Sequence, residues 1–390
     1  MDQEKKLFPY FQPIVCAANG NIVGYEALAR QYDANGRVIS AGALFSSADI
    51  PHHQLIEWDR IVRRQALQQF SAFNNSCYLT INISATWLDY ISDFNALPTM
   101  LMIDEFGIDR SRIVIEITES EGDIDKLVKA VEIYRKNGIK VAIDDFGSGF
   151  SQLERVMTIL PDIIKLDMTL FQKAAKGGIA SDVVHMLTRL ARRTGCRIVC
   201  EGVETADEFF FGLNCGAQYM QGYLFSPAVA TFQDSTHYQQ EIATLRKQFL
   251  QTTLGRERDK IQFILAIKGL IEQLKCALED DFVLAQLPTD MFYDSGVLRF
   301  YLCNNEGDQI SSNYNLIDGK WVDDSEKLGF NWSWRAYFYQ LRALEATDDC
   351  YRIVTSDRYR DFSSDLLCKT LSLRLDDERI LLVDIAAEWL

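Results

Sequence analysis

The feature that most constrains this 390-residue chain is an alternation that fills its first ~230 residues. Short apolar, β-branched runs alternate with longer stretches whose apolar residues recur at helical period, the pattern of successive βα units. The spacing predicts strands at Ile22–Tyr25, Tyr78–Ile83, Ile113–Ile117, Lys140–Ile143, Ile163–Leu166, Arg197–Cys200 and Ala217–Met220. Between them it predicts helices at Leu55–Phe70, Lys126–Asn137, Ser181–Thr194 and Ala206–Leu213, with Gly138 closing the second through a left-handed C′ position. Almost every strand ends on, or just before, a residue able to bind a metal or a polar ligand: Glu26, Asn82, Glu116, Asp144-Asp145, Lys165, Glu201 and Gln221. An open doubly wound sheet also places ligands at its C-terminal strand ends, but it does not gather seven of them around one point. A closed (βα)8 barrel does, so residues 1–231 are expected to form a TIM-like α/β barrel with its active site at that face.

Composition narrows the partners. With 48% hydrophobic and 24% charged residues the chain has the makings of an ordinary folded core, which excludes a disordered or fibrous protein. A net charge of −15 argues against holding a polymeric nucleic acid in a basic groove, and an anionic substrate would need metal ions or local Lys and Arg to receive it. No apolar run reaches the ~20 residues of a membrane span; the best, around Ile261 to Leu274, is broken by Lys268 and Glu272. The first residues mix acids with bases and lack an apolar stretch, so no export signal is visible. Nine scattered cysteines without a C-x-x-C pair read as reduced thiols, and the expected location is the cytoplasm.

Beyond the barrel the character changes. Phe232–Leu254 and Arg256–Leu278 read as two helices broken at Gly255, making 232–281 a linker. Ile264, Ile267, Ile271, Leu274 and Leu278 step by three and four, a narrow seam suited equally to packing on its own domain or to a dimer contact. Residues 282–390 turn β-rich and α+β, with strands expected at Val297–Cys303, Gln309–Ser312, Tyr351–Thr355, Thr370–Leu375 and Ile380–Ile385.

The strand-end residues together specify a chemistry. Glu26, Asn82, Glu116, Asp144 and Asp145 are oxygen donors, four of them carboxylates, and such a cluster needs cations to stay ionised. Hard oxygen ligands with no histidine suit Mg²⁺ or Mn²⁺. Adjacent aspartates diverge, so one can bridge two metals ~4 Å apart, the arrangement that clamps the attacking and leaving oxygens of a phosphodiester. Lys165 can orient the nucleophilic water, and Glu201 can complete a metal site or accept a proton.

Ordered motifs carry a resemblance across residues ~8–230. Gln12-Pro13-Ile14-Val15, Glu26-Ala27-Leu28-Ala29-Arg30, Asn82-Ile83-Ser84 and Glu116-Ile117-Thr118-Glu119 come first. Asp144-Asp145-Phe146-Gly147-Ser148-Gly149, Ile164-Lys165-Leu166-Asp167, Glu201-Gly202-Val203-Glu204 and Gln221-Gly222-Tyr223-Leu224-Phe225-Ser226 follow. This series resembles the EAL domain family of cyclic di-GMP phosphodiesterases. The resemblance implies a barrel whose first strand is antiparallel, two Mg²⁺ or Mn²⁺ per active site, and hydrolysis of cyclic di-GMP to linear 5′-pGpG. It implies that Glu26, Asn82, Glu116 and Asp144 hold one metal, that Asp144, Asp145 and Glu201 serve the other, and that Lys165 serves the water. It further implies that Arg30 contacts a phosphate, that Gln12 and Gln221 border the guanine pockets, that Glu119 anchors the loop from Asp145 to Ser151, and that Glu204 and Asp167 support the site. The family commonly works as a homodimer. Ala29 stands where Leu is commoner, and Cys200 where a small Ala is usual; neither removes a ligand.

The C-terminal part is similar to the YkuI-type domain, a PAS/Cache-like fold attached to some EAL proteins, on Asn304–Gly307 and on Trp332-Ser333-Trp334-Arg335-Ala336-Tyr337-Phe338. Trp334, Arg335 and Tyr337 are expected either to form a sensor pocket for a small carboxylate or amine effector or to be core. The competing functions are a cyclic di-GMP receptor that does not hydrolyse and a scaffold that works through a partner. No GGDEF-type cyclase domain is recognisable.

Overall fold

The alternation in the sequence closes into a ring. The computed structural model describes residues 7–47, 49–73, 75–91, 93–118, 123–147, 152–278, 282–292, 295–345, 353–361 and 365–387. By internal packing the chain divides into two units, Met1–Phe249 and Leu250–Leu390. In the first, strands β1 (Phe8–Cys16), β2 (Ile22–Tyr32), β3 (Val38–Ser40), β4 (Tyr78–Ser84) and β5 (Ile113–Thr118) are followed by β6 (Lys140–Phe146), β7 (Ile163–Leu166), β8 (Arg197–Cys200) and β9 (Tyr219–Met220). The sheet runs β1-β9-β8-β7-β6-β5-β4-β2-β3, and β1 also pairs with β2, so eight strands close a barrel and β3 extends β2 outside it. All barrel neighbours are parallel except β1, which is antiparallel to both β2 and β9.

Periodicity alone does not mark β1, which contains Pro9 and Pro13. Proline cannot donate to a ladder, but β1 pairs with β9 only at Val15 and Cys16, beyond both prolines. The outward faces of the strands meet the helices in one core. Ile113, Ile115 and Ile117 of β5 and Val141 and Ile143 of β6 pack with Leu67 and Phe70 of the helix His52–Ser71 and with Leu127, Val131 and Tyr134 of the helix Ile124–Lys136.

The second unit is an antiparallel sheet with a helix on each face. Its strands are β10 (Val297–Cys303), β11 (Asn313–Ile317), β12 (Lys320–Asp324), β13 (Val354–Thr355), β14 (Tyr359–Arg360), β15 (Leu367–Arg374) and β16 (Ile380–Ala386), in the order β12-β11-β10-β16-β15-β13 with β14 beside β15. One face, with Phe300, Leu302, Leu371, Leu373, Leu381, Val383 and Ile385, buries Ile267, Ile271, Leu274 and Leu278. The helical seam therefore packs on its own unit. The other face, with Tyr301, Cys303, Ile380 and Leu382, receives Tyr337, Phe338 and Leu341 of the helix Ala336–Glu345.

Two expectations are corrected. One helix, Gln239–Leu278, runs uninterrupted through Gly255; an interior glycine costs only ~1 kcal/mol, and good helix formers flank it. Residues 232–238 are not helical, because Phe232 is held against Phe11, Tyr25 and Phe73 while the Tyr25 hydroxyl bonds both the carbonyl and the N–H of Gln233. Gln309–Ser312 is not a strand. Gln309 makes a single bridge to Cys303 and the chain then bends, with Gln309 Nε2 donating to the Ser311 carbonyl and Asn313 Oδ1, and the next strands are β11 and β12, joined at Asp318-Gly319. The expected strand Tyr351–Thr355 falls partly outside the described residues; its described part contains β13.

Candidate active site

A single layer of the barrel organises the site. Ile14, Val114, Ala142, Ile163 and Val199 fill the interior as a buried apolar plug. Side chains alternate faces along a strand, so the residue two positions on points to the same interior. From Val114 that residue is Glu116, from Ala142 Asp144, from Ile163 Lys165 and from Val199 Glu201. Glu26, Asn82 and Gln221 stand in the same relation to Gly24, Thr80 and Tyr219. On β1 the step runs backward, from Ile14 to Gln12, because that strand is antiparallel. Gln12 lies opposite Glu26, and Asn82 opposite Glu116. Gly24 is required by the plug: a β-carbon there would lie 2.3 Å from the Tyr78 ring.

Above the plug, one ammonium faces four carboxylates. Lys165 Nζ lies 3.0 Å from Glu26 Oε2, 3.0 Å from Glu116 Oε2, 2.9 Å from Asp144 Oδ1 and 2.6 Å from Glu201 Oε1. Lys165 is 2% exposed, so these are low-dielectric contacts. Burial works against its charge, but the four carboxylates outweigh it and hold the ammonium well above its usual pKa. Burial raises Glu116, Asp144 and Glu201, and their mutual repulsion adds to it against the pull of Lys165. Glu26 goes the other way: burial is outweighed by Lys165 and by donated hydrogen bonds from Asn82 and Gln221. Desolvation, then the neighbouring Asp144 charge, pushes Asp145 up to about 6.

The donor set fits hard divalent cations. Glu26, Glu116 and Asp144 each offer an oxygen within 4.8 Å of the others, and so do Asp144, Asp145 and Glu201, so Asp144 is common to both sets. Asn82 Nδ2 donates to Glu26 Oε1 at 2.9 Å, which leaves Asn82 Oδ1 as an acceptor. Asn82 Oδ1 and Glu116 Oε1 are buried without a hydrogen-bond partner among the described residues, an arrangement that suits a cation. The two aspartates are set apart by a bulge in β6, where the register shifts between Ile143 and Phe146 and Asp145 adopts φ 51°. A non-glycine residue held there stores local strain, as at many functional sites.

The other expected residues divide. Gln221 is buried and its amide donates to Glu26 Oε2 at 2.7 Å and to Gln12 Oε1 at 3.0 Å, while Gln12 Nε2 donates to the Ser226 carbonyl. Arg30 lines a cavity of about 600 Å³ that opens beside Glu26, Asn82, Asp144 and Asp145. Asp167 caps the helix Met168–Ala175 through the Leu170 N–H at 2.9 Å, a structural role. Glu204 is exposed, one residue before a capping box formed by Thr205 and Glu208, and Glu208 accepts from its backbone N–H. Glu119 and loop residues 148–151 lie outside the described residues.

This geometry coincides with a known family. Over residues 2–228 the chain matches the EAL domain. The chain belongs to the EAL domain family. Residues 234–390 match the EAL-domain associated signalling protein domain. The uncharacterized EAL-domain containing protein YkuI of Bacillus subtilis (strain 168) is 30% identical over 399 residues, covering 98% of this chain and 95% of the relative. The crystal structure of YkuI in complex with substrate c-di-GMP and calcium has a TM-score of 0.84 at 27% identity, covering 97% of this chain and 96% of that one. Cyclic di-GMP phosphodiesterase PdeL of Escherichia coli (strain K12) is 27% identical over 227 residues, 57% of this chain and 62% of its own. Klebsiella pneumoniae BlrP1 in a manganese/cy-diGMP complex has a TM-score of 0.51 at 27% identity, covering 58% of this chain and 57% of that one.

Within the EAL barrel, sequence reading missed the far wall of the cavity. Phe45, His52, Leu55, Asp59, Arg63 and Trp87 line it. Arg63 is buried, pairs with Asp59 and donates to Thr99 Oγ1 at 2.8 Å. Their i,i+4 spacing was the available signal. In the C-terminal domain the expected trio is split. Arg335 and Tyr337 line a cavity of about 30 Å³, room for about two waters, together with Arg299, Tyr359, Asp361 and Asp384. Trp334 is corrected: it is 63% exposed and lies outside that lining, its ring stacked by the Arg335 guanidinium at 4.2 Å. Trp332 takes the place beside the cavity, its indole N–H donating to Gln309 Oε1.

Proposed function

We propose that this chain hydrolyses cyclic di-GMP to linear 5′-pGpG with two divalent cations, Mg²⁺ or Mn²⁺. The observation that carries the reading is the pair of carboxylate sets sharing Asp144, with orphaned Asn82 and Glu116 oxygens beside them. The named activity of PdeL and the cyclic di-GMP bound by YkuI and BlrP1 support the same substrate.

Glu26, Asn82, Glu116 and Asp144 would hold one cation, and Asp144, Asp145 and Glu201 the other. Bound there, the cations supply charge stabilisation for the phosphoryl oxygens and a nucleophile at neutral pH. Lys165 orients the attacking water, and Glu201 accepts its proton. Water oxygen bonds to phosphorus as the P–O3′ bond breaks, and the leaving 3′ oxygen takes a proton. Arg30 holds a substrate phosphate. Gln12 and Gln221 border the guanine pockets, with Gln221 fixing the Glu26 carboxylate from behind. Asp167 and Glu204 support the loops that carry these groups, and Glu119 anchors the loop after Asp145.

In this reading residues 1–231 are the catalytic domain, 232–281 a linker and 282–390 a PAS/Cache-like sensor whose small-molecule effector regulates turnover. The protein acts in the cytoplasm as a homodimer whose barrels pair, and polymeric nucleic acid is not a partner. No helix among the described residues is long and apolar enough to cross a membrane.

The test is incubation of the purified full chain with cyclic di-GMP and Mg²⁺ or Mn²⁺, with products resolved by chromatography. Appearance of 5′-pGpG, abolished by chelator, is the expected result. Saturable binding without product overturns hydrolysis in favour of a receptor.

A further inference from the structure

The helix Gln239–Leu278 carries an uncovered apolar stripe with a symmetry of its own. From Leu250 to Gln262 every residue except Thr253 is exposed. Within and just beyond that stretch Leu250 is 56% exposed, Leu254 44%, Ile261 54% and Leu265 61%. At about 100° per residue these four side chains fall within about 60° of the helix circumference. They form one face, distinct from the buried seam of Ile267, Ile271, Leu274 and Leu278 that packs on the sheet. A bare helical stretch of this length is marginal in water unless an apolar face is covered.

The spacing of the four identifies what covers it. The steps from Leu250 to Leu254, Ile261 and Leu265 are four, seven and four residues, the same in either direction. The midpoint falls between Glu257 and Arg258. Laid antiparallel against a second copy, Leu250 meets Leu265, Leu254 meets Ile261, and Glu257 meets Arg258, each pair occurring twice about a two-fold axis. A parallel pairing sets Glu257 against Glu257 and Arg258 against Arg258, like charges at the centre of the contact. The antiparallel alignment creates one like-charged pair on this face, Lys247 with Lys268, at its ends, where long side chains splay into solvent.

We infer that the face from Leu250 to Leu265 is an antiparallel, isologous contact between two copies of this chain, centred between Glu257 and Arg258. It is a self-contact surface separate from the barrel pairing proposed above, and it stands whether or not the barrel hydrolyses its substrate.

Site-specific cross-linking of the full chain tests it. Leu254→Cys and Ile261→Cys are made separately in a Cys276→Ser background, because Cys276 is the exposed cysteine of this helix. An equimolar mixture of the two should form a disulfide-linked dimer under mild oxidation above the background protein. Neither variant alone should do so, since each cysteine is offset from its own equivalent by about 10 Å along the helix. Efficient cross-linking of Leu254→Cys with itself indicates a parallel pair and overturns the inference, as does a mixture that does not cross-link. In sedimentation, Glu257→Arg should weaken self-association about tenfold, and adding Arg258→Glu should restore it. Failure of the second change to rescue the first overturns the proposed facing. Measured on the same preparations, 5′-pGpG formation reports separately on the barrel.

Discussion

Lys165 sits where the barrel gathers its acids, and its four short contacts make it the group on which the site's charge balance depends. Lys165→Met removes the ammonium that faces the cluster and leaves buried carboxylates facing one another. Without divalent cations it should lose about 3–5 kcal/mol of stability. Adding Mg²⁺ or Mn²⁺ should recover more stability in the variant than in the parent, while 5′-pGpG formation stays lost; thermal unfolding with and without the cation checks both. In the second unit the comparable residue is Asp384. It is buried against Arg299 Nε at 3.4 Å, accepts from Thr370 Oγ1 at 2.8 Å and from the Tyr359 hydroxyl at 3.3 Å, and has Asp361, Tyr301 and Tyr337 nearby. Burial raises it to about 6. The folded chain therefore holds this proton more tightly than the unfolded one, and the stability it contributes is present below about pH 4 and lost as pH rises through about 6. Asp384→Asn should remove that slope, gaining about 2–3 kcal/mol relative to the parent between about pH 4 and 7. Urea unfolding of both proteins across that range checks it, and parallel pH curves would contradict it.

At the scale of elements, the two places where local pattern misled are instructive. Gly255 looked like a helix break, yet the helix passes through it, and a β-carbon there would meet nothing within 4 Å. Gly255→Ala should therefore stabilise the helix by about 0.5–1 kcal/mol, read as a higher unfolding midpoint; a lower midpoint would mean that the glycine serves a close contact. Gln309–Ser312 looked like a strand because it follows the turn residues Asn304-Asn305-Glu306-Gly307. The stronger signal lay just beyond it: Asp318-Gly319, both at positive φ, is the two-residue turn that joins twisted strands. Asp318 tolerates that conformation at 49° and Gly319 adopts it without penalty at 71°, so the hairpin Asn313–Ile317 and Lys320–Asp324 follows. A place after a turn is weak evidence over four residues, whereas the chemistry of a two-residue turn is specific.

At the scale of the whole molecule, the chain packs as two units with separate cores. A cation that binds the folded barrel and not the unfolded chain stabilises it by about 2.7 kcal/mol at a hundredfold excess over its dissociation constant. Calorimetry of the full chain should accordingly show the barrel transition falling on addition of chelator and returning with Mg²⁺ or Mn²⁺. The transition of the C-terminal unit should stay in place. Equal movement of both transitions would place the cation, or a strong coupling to it, outside the barrel.

The barrel and the convergence of its polar strand ends were legible from the amino-acid sequence alone, because both rest on short-range regularities. A period of two within each strand and a polar residue at or next to its C-terminal end need no knowledge of the neighbouring strand. Glu26, Asn82, Glu116, Asp144, Asp145, Lys165, Glu201 and Gln221 were all found in that way. Only the tertiary structure decided what each does for the others. That Gln221 clamps Glu26, that Asp167 caps a helix, that Trp334 faces solvent while Trp332 lines the cavity, and that Arg63 and Asp59 form the far wall all depend on contacts between distant segments. Local pattern places a side chain on a face, but its partners come from whichever elements the fold brings against that face. Those pairings are a property of the closed packing rather than of any one stretch of chain.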